Sequence, residues 1–185
     1  MIRDWEVLNR EVVNDFGIVK IHKKQARSPR TGDVSDILAI DFPDWVLVLA
    51  ITPQAEVVMV RQYRHGIEQI CLELPGGLVD ADDSAPQVAA RRELLEETGY
   101  QSSELIQLGE CFPQPAVLSN RCFFFFAEGA EKIQEPEMDA GEDIEILMVP
   151  MREVPSKIKK KEINHGMVLL AFHTYWMKQG VVLNE

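Results

Sequence analysis

Three glutamates carry the first chemical signal in this chain. Glu93, Glu96 and Glu97 stand at i, i+3 and i+4, and at roughly 100° per residue a helix gathers them within an arc of about 100° on one face. Such a cluster is unfavourable as mere decoration: like charges at i,i+4 cost about 0.2–0.5 kcal/mol, and carboxylates near a helix C-terminus oppose the macrodipole by about 0.3–1 kcal/mol. A cation offsets both. A hard divalent ion such as Mg²⁺ takes oxygen ligands from one or two carboxylates, retained waters and phosphates. The alternative is a solvated helix face on which Arg92 pairs with Glu96 at i+4.

Ahead of the glutamates run Glu73-Leu74-Pro75-Gly76-Gly77 and a short loop, Leu78 to Asp83. Glycines let the backbone approach a ligand closely and leave carbonyl oxygens accessible to a metal. Loop, helix and carboxylates together resemble the Nudix box, which in words is Gly, five residues, Glu, seven residues, Arg-Glu, an apolar residue, one residue, Glu-Glu, one residue, Gly. Gly77, Arg92-Glu93-Leu94, Glu96-Glu97 and Gly99 supply those features, with Tyr100 at the usually aliphatic last position. The interval from Gly77 to Arg92 is one residue longer than the family pattern. Asp83 replaces the family's first glutamate, with Ser84 as the alternative alignment.

Further resemblances lie around the box. Val60-Arg61-Gln62-Tyr63-Arg64 is similar to the corresponding strand of the family's ADP-ribose pyrophosphatase branch, and Pro115, sixteen residues beyond Gly99, is typical of it. Ala116 to Asn120 departs from the Gly-Phe-Ser and acidic pattern often seen there. The resemblance implies Mg²⁺, with Mn²⁺ as substitute, held by Glu93, Glu96, Glu97 and the Gly76 carbonyl. It implies Arg92 orienting the acidic cluster, Arg61, Arg64 and Pro115 against the substrate, and Glu96, Glu97 or Glu142 as general base. Glu142 lies in Asp139 to Glu145, which resembles a family loop over the metal site and also reads as an acidic surface loop. Arg61 and Arg64 equally read as solvated edge arginines. The reaction implied is hydrolysis of a nucleoside diphosphate sugar, such as ADP-ribose to AMP and a sugar phosphate. A module that senses such a compound without cleaving it is the alternative, and the intact glutamates argue against it.

These residues need a scaffold. Residues 5 to 43 alternate short apolar and polar stretches and read as hairpin strands; Trp45 to Ile51 and Glu56 to Tyr63 read as a hairpin of the main sheet. From Ser84 to Gly99 the pattern is helical: Ser84 and Gln87 make a capping box, Pro86 suits the first turn, and Gly99 suits a left-handed end. Cys122 to Ala127 and Ile144 to Val149 read as buried strands, and Asn164 to Lys178 as a closing helix. The resemblance implies an α+β chain with the Nudix fold, a mixed β-sheet between helices (α/β/α), over residues 44–185. It also implies that residues 1–43 are an N-terminal β appendage of the kind that in this branch often helps build a homodimer.

Bulk properties set the outer limits. The chain has 185 residues, 46% of them apolar and 26% charged, which suits one sizeable core and argues against disorder. A formal net charge of −11 repels an extended phosphate backbone, so nucleic acid is not an expected partner. A small anionic nucleotide sugar remains compatible, because a metal ion and local arginines reverse the sign of a pocket. Cys71, Cys111 and Cys122 have no metal spacing and no complete disulfide framework. With no apolar leader or membrane-length run, a cytoplasmic protein is expected. His22, His65, His165 and His173 read as structural, and Lys157 to Lys161 as a solvated helix face.

Overall fold

In the computed structural model, residues 1–138, 141 and 143–180 are described. The chain forms two compact units. The first comprises Met1–Pro43 and Phe112–Arg121; the second comprises Asp44–Cys111 and the chain from Cys122 onward. The segment 112–121, read above as part of the second stretch, therefore groups with the first. The pairing responsible is local: the Ile40 N–H donates to the Val117 carbonyl at 2.7 Å, the Ser119 N–H to the Ile40 carbonyl at 3.1 Å, and the Asn120 side chain to the Pro43 carbonyl at 2.9 Å.

The first unit is an antiparallel sheet of β1 (Glu6–Asp15), β2 (Lys20–Arg27) and β3 (Val34–Asp41), in that order. It has little core of its own. His22 and Ala26 on β2 are buried, while Trp5, Val7, Val12, Val13, Phe16, Ile37 and Leu38 are exposed. His22 faces Asp41, with Nε2 2.7 Å from the carboxylate, and accepts a bond from Arg10 at 3.1 Å.

The second unit is built on β4 (Trp45–Ile51), β5 (Glu56–Arg64), β8 (Leu105–Cys111), β9 (Cys122–Glu128) and β11 (Ile144–Pro150), in the order β11-β5-β4-β9-β8. β6 (Gln69–Glu73) pairs with the far end of β5. Only β4 and β9 run parallel among these neighbours, so the sheet is mixed. A two-stranded piece, β7 (Tyr100–Gln101) with β10 (Glu131–Lys132), lies apart. The described residues also include the α-helices α1 (Pro86–Thr98), the short α2 (Val154–Lys159), which holds Lys157 and Lys159 while Lys160 and Lys161 lie past its end, and α3 (Gly166–Lys178). Among the described residues, no helix is long and apolar enough to cross a membrane.

The continuous apolar runs of β4 and β9 follow from burial on both faces. Val46, Val48, Ala50, Phe123 and Phe125 pack with Ala89, Ala90 and Leu94 of α1; Leu47, Leu49, Phe124 and Phe126 pack with Val168, Ala171 and Phe172 of α3. Alternate side chains of one strand thus serve two different cores. The helix–sheet–helix layering is the one the resemblance implies. Burying side chains of this size contributes about 1.5–3 kcal/mol each, so the position of α1, and with it the glutamates, is set by the even-numbered residues of β4.

Two helix ends differ from expectation. Ala85, not Ser84, stands at the N-cap of α1, without a side-chain capping bond, and Gln87 instead donates to the Leu105 carbonyl at 2.8 Å. The capping box is therefore absent, and Pro86 alone suits the first turn by lacking a donor that would go unpaired. Gly99 ends the helix as expected, left-handed at φ 74°, its N–H bonded to the Leu95 carbonyl at 2.8 Å. The last helix begins at Gly166 rather than Asn164.

Candidate active site

The site starts where β5 leaves β4. These strands pair only near their turn, Ala50 with Val58 and Ile51 with Val57; further along, β5 turns to β6. The freed edge of β4 takes the glycine loop instead, with Val46 N–H on the Gly77 carbonyl and Val48 N–H on the Pro75 carbonyl, both at 2.9 Å. Alternation in an extended segment then turns the Gly76 carbonyl away from β4. A Cβ on Gly76 would collide with the Val46 carbonyl, and one on Gly77 with the Glu93 carboxylate. Both glycines thus answer to the protein's own packing as well as to any ligand.

Across from the loop, α1 presents its acids. Glu97 is buried and its carboxylate accepts the Gly76 N–H at 2.8 Å. Glu93 is also buried, whereas Glu96 is 42% exposed at its side chain. Arg92 gathers the remainder. Its guanidinium lies 2.9 Å from Glu93, 3.0 Å from Glu96, 3.0 Å from Asp83 and 3.2 Å from Asp80, and donates to the Leu78 carbonyl at 3.1 Å. Of the two residues considered for the family's first box glutamate, Asp83 is seen to bond Arg92. Burial opposes the Arg92 charge, but the Asp83 and Glu96 bonds and the Glu93 charge outweigh it and raise its pKa. The bond from Arg92 holds the Asp83 carboxyl below its usual range against the opposing effect of burial, with help from the Asp80 N–H.

Between loop and helix lies a cavity of about 250 Å³, lined by Gln62, Arg64, Gly76, Gly77, Leu78, Asp80, Arg92, Glu93, Glu96, Glu97 and Glu137. A larger one, about 510 Å³, belongs to the first unit; among its described lining residues Asp33 is the lone carboxylate, so it offers no comparable chemistry. In the acidic cavity Arg92 lies within 3.2 Å of four carboxylates. The second arginine, Arg64, is committed to Glu73: Nε and Nη2 donate to its two oxygens at 2.9 and 2.7 Å. That pair raises the Arg64 pKa against burial, with smaller help from the Glu97 charge. Negative charge is thus in excess, and the donor set is all oxygen, which suits Mg²⁺ or Mn²⁺. Among the described residues no three His, Cys, Asp or Glu side chains are gathered closely enough to hold a metal ion by themselves. An open set completed by water and phosphate oxygens is the usual habit of Mg²⁺.

The expected residues divide by place. Gly76, Arg92, Glu93, Glu96, Glu97 and Arg64 come together. Arg61 points elsewhere on β5, pairing at the surface with Glu145 of β11 at 2.8 Å. Pro115 sits on an exposed turn of the first unit, and Glu142 lies outside the described residues. Gln62, Glu73, Asp80 and Glu137 were not anticipated. Gln62 was legible, being two positions before Arg64 and so on the same strand face. Glu137 was not: its N–H donates to the Glu96 carbonyl at 2.8 Å across a separation only the fold closes. Of the histidines, His65 stands edge-on to Tyr63 and His165 edge-on to Trp45.

Comparison with known proteins agrees with this geometry. The NUDIX domain model matches residues 42–172. The chain is 24% identical over 177 residues to the ADP-ribose pyrophosphatase of Bacillus subtilis (strain 168), covering 95% of each chain. It is 34% identical over 133 residues to the GDP-mannose pyrophosphatase of Escherichia coli (strain K12), covering 67% of this chain and 68% of that one. A crystal structure described as an ADP compounds hydrolase superposes with a TM-score of 0.85 at 20% identity, covering 98% of this chain and 99% of that one.

Proposed function

The chain belongs to the Nudix family of hydrolases, and from that premise we propose that it hydrolyses the pyrophosphate bond of a nucleoside diphosphate sugar, ADP-ribose to AMP and ribose 5-phosphate, with Mg²⁺. The observation that carries this reading is the acidic cavity, where one arginine faces four carboxylates beside a glycine loop. The relatives named above, an ADP-ribose and a GDP-mannose pyrophosphatase, support the substrate class. ADP-ribose is preferred because the first of these matches over nearly the whole of both chains.

Glu93, Glu97 and Glu96, with the Gly76 carbonyl, would hold the metal. Bound there, Mg²⁺ or Mn²⁺ supplies positive charge against the phosphate oxygens and makes water more acidic. The chain's own groups do the rest. Arg92 keeps Glu93 and Glu96 in place, and the Gly76 N–H keeps Glu97 turned to the loop. Arg64 retains N–H groups beyond those given to Glu73 and directs them at a phosphate oxygen. Water attacks phosphorus, the P–O bond to the bridging oxygen breaks, and a carboxylate takes the water's proton. Glu96, Glu97 and Glu142 are the candidates for that base, separated by the pH–rate profiles of their glutamine variants.

We assign the enzyme to the cytoplasm and read it as a homodimer joined through residues 1–43. Three free cysteines support the first, and the exposed apolar side chains of β1 and β3 the second. The deciding experiment is product analysis with Mg²⁺ and ADP-ribose beside GDP-mannose and other nucleotide sugars, with Glu97→Gln as control. AMP and ribose phosphate from the native protein alone support the reading. Turnover of another panel member changes the substrate, and tight binding without turnover replaces the hydrolase reading with a sensor.

A further inference from the structure

Glu73 closes β6 and is wholly enclosed, whereas its partner Arg64 closes β5, lines the acidic cavity and is 39% exposed at its side chain. The two meet edge to edge, Nε and Nη2 of the guanidinium donating to the two carboxylate oxygens. A guanidinium carries five N–H groups in a rigid fork. One edge is therefore occupied, and Nη1 with the outer hydrogen of Nη2 remains for another acceptor. The anchoring oxygens belong to a side chain held in the core, so the plane and heading of the fork are set before any ligand arrives.

As a source of stability this arrangement is poor, because enclosing the Glu73 charge forfeits hydration that an apolar side chain of similar size would not lose. As a means of aiming an arginine it is effective. A long, rotamer-rich side chain gives up its freedom on folding rather than on binding, which favours both affinity and orientation. Two titratable neighbours of the pair are held toward their neutral forms: burial lowers the His165 pKa and raises that of the Cys71 thiol. The Glu97 charge also reaches Arg64, which puts the fork beside the acidic cluster.

We propose that Glu73 is a positioning residue that aims the free edge of Arg64 at the pyrophosphate of the substrate. This deepens the hydrolase reading given above and takes its substrate from it. The geometry of the pair stands independently. Glu73 acts through Arg64, so its loss has to appear in phosphate binding rather than in bond cleavage, and has to vanish once Arg64 is gone.

The test is calorimetric titration with inorganic pyrophosphate and Mg²⁺, beside steady-state hydrolysis of ADP-ribose. Glu73→Gln keeps the side-chain volume but removes the charge. It is expected to weaken pyrophosphate binding and raise KM by about tenfold, the scale of one charge-assisted hydrogen bond, with kcat changed less than about threefold. Arg64→Ala should lose at least as much, and the double variant Arg64→Ala, Glu73→Gln no more than Arg64→Ala alone. To separate aiming from folding, Arg64→Leu with Glu73→Leu removes both charges together; it should melt no lower than the native protein yet bind pyrophosphate as weakly as Arg64→Ala. Native affinity in Glu73→Gln, multiplied losses in the double variant, tight binding by the leucine pair, or no pyrophosphate binding by the native protein overturns the proposal. No turnover of ADP-ribose by the native protein sinks only the substrate reading, because the titration still decides the positioning role.

Discussion

Replacing Arg92 by glutamine removes a cation that faces Asp80, Asp83, Glu93 and Glu96 together. Asp80 and Glu96 are 64% and 42% exposed, so each of those pairs is worth about 0–1 kcal/mol. Asp83 and Glu93 are 6% and 11% exposed, and breaking a deeply buried pair costs about 3–5 kcal/mol. Arg92, however, is 28% exposed at its side chain, so solvent screens both pairs. The expected loss lies between the two limits, about 2 kcal/mol, or a fall in Tm of about 4–8 °C for a chain of this length. Urea denaturation and melting in EDTA measure it without interference from metal. The pH dependence gives a second check. The Asp83 pKa is lowered in the folded state, mainly by the Arg92 bond, so its stabilisation is complete above the unfolded value and lost as pH falls through the folded one. The gap between native and variant should therefore be full at pH 7 and close below about pH 4. A loss under about 0.5 kcal/mol, or a gap that persists unchanged in acid, refutes the view that Arg92 restrains these carboxylates.

Other perturbations separate packing from chemistry. Gly76→Ala meets backbone at Val46 and should lose about 1–3 kcal/mol or more by urea denaturation. The atoms nearest a Cβ on Gly77 are those of the Glu93 carboxylate, so Gly77→Ala should stay folded and lose Mg²⁺-dependent thermal stabilisation; equal melting losses in the two variants would contradict this. EDTA should abolish hydrolysis reversibly, and Mg²⁺ at about a hundred times its Kd should stabilise the protein by about 2.7 kcal/mol; a Tm indifferent to Mg²⁺ removes the metal reading. Leu38→Lys on exposed β3 should yield monomers in light-scattering chromatography, and an unchanged mass excludes that sheet as the dimer contact.

Local pattern went furthest where one residue's role depends on near neighbours. The spacing of Glu93, Glu96 and Glu97 put them on one helix face, and Gly99 ended that helix because a left-handed residue there is a local need. The apolar runs of β4 and β9 marked the strands covered on both sides. Less was legible in β8, where the irregularity between Gln107 and Gly109 interrupts alternation. The Ser84–Gln87 capping signal failed because Gln87 found a better acceptor, the Leu105 carbonyl, on a strand that sequence distance conceals.

Types and spacing alone determined that this chain carries a carboxylate helix behind a glycine loop, since helical periodicity is a property of consecutive residues. Tertiary structure decided what each of those groups faces. It put the Gly76 N–H on Glu97, chose Asp83 over Ser84 for Arg92, turned Arg61 to Glu145, and spent one edge of Arg64 on a buried Glu73. The reason is that β5 leaves β4 after a short pairing and lets the loop take its place, a choice made by strands packing two cores at once and written in no single stretch of sequence.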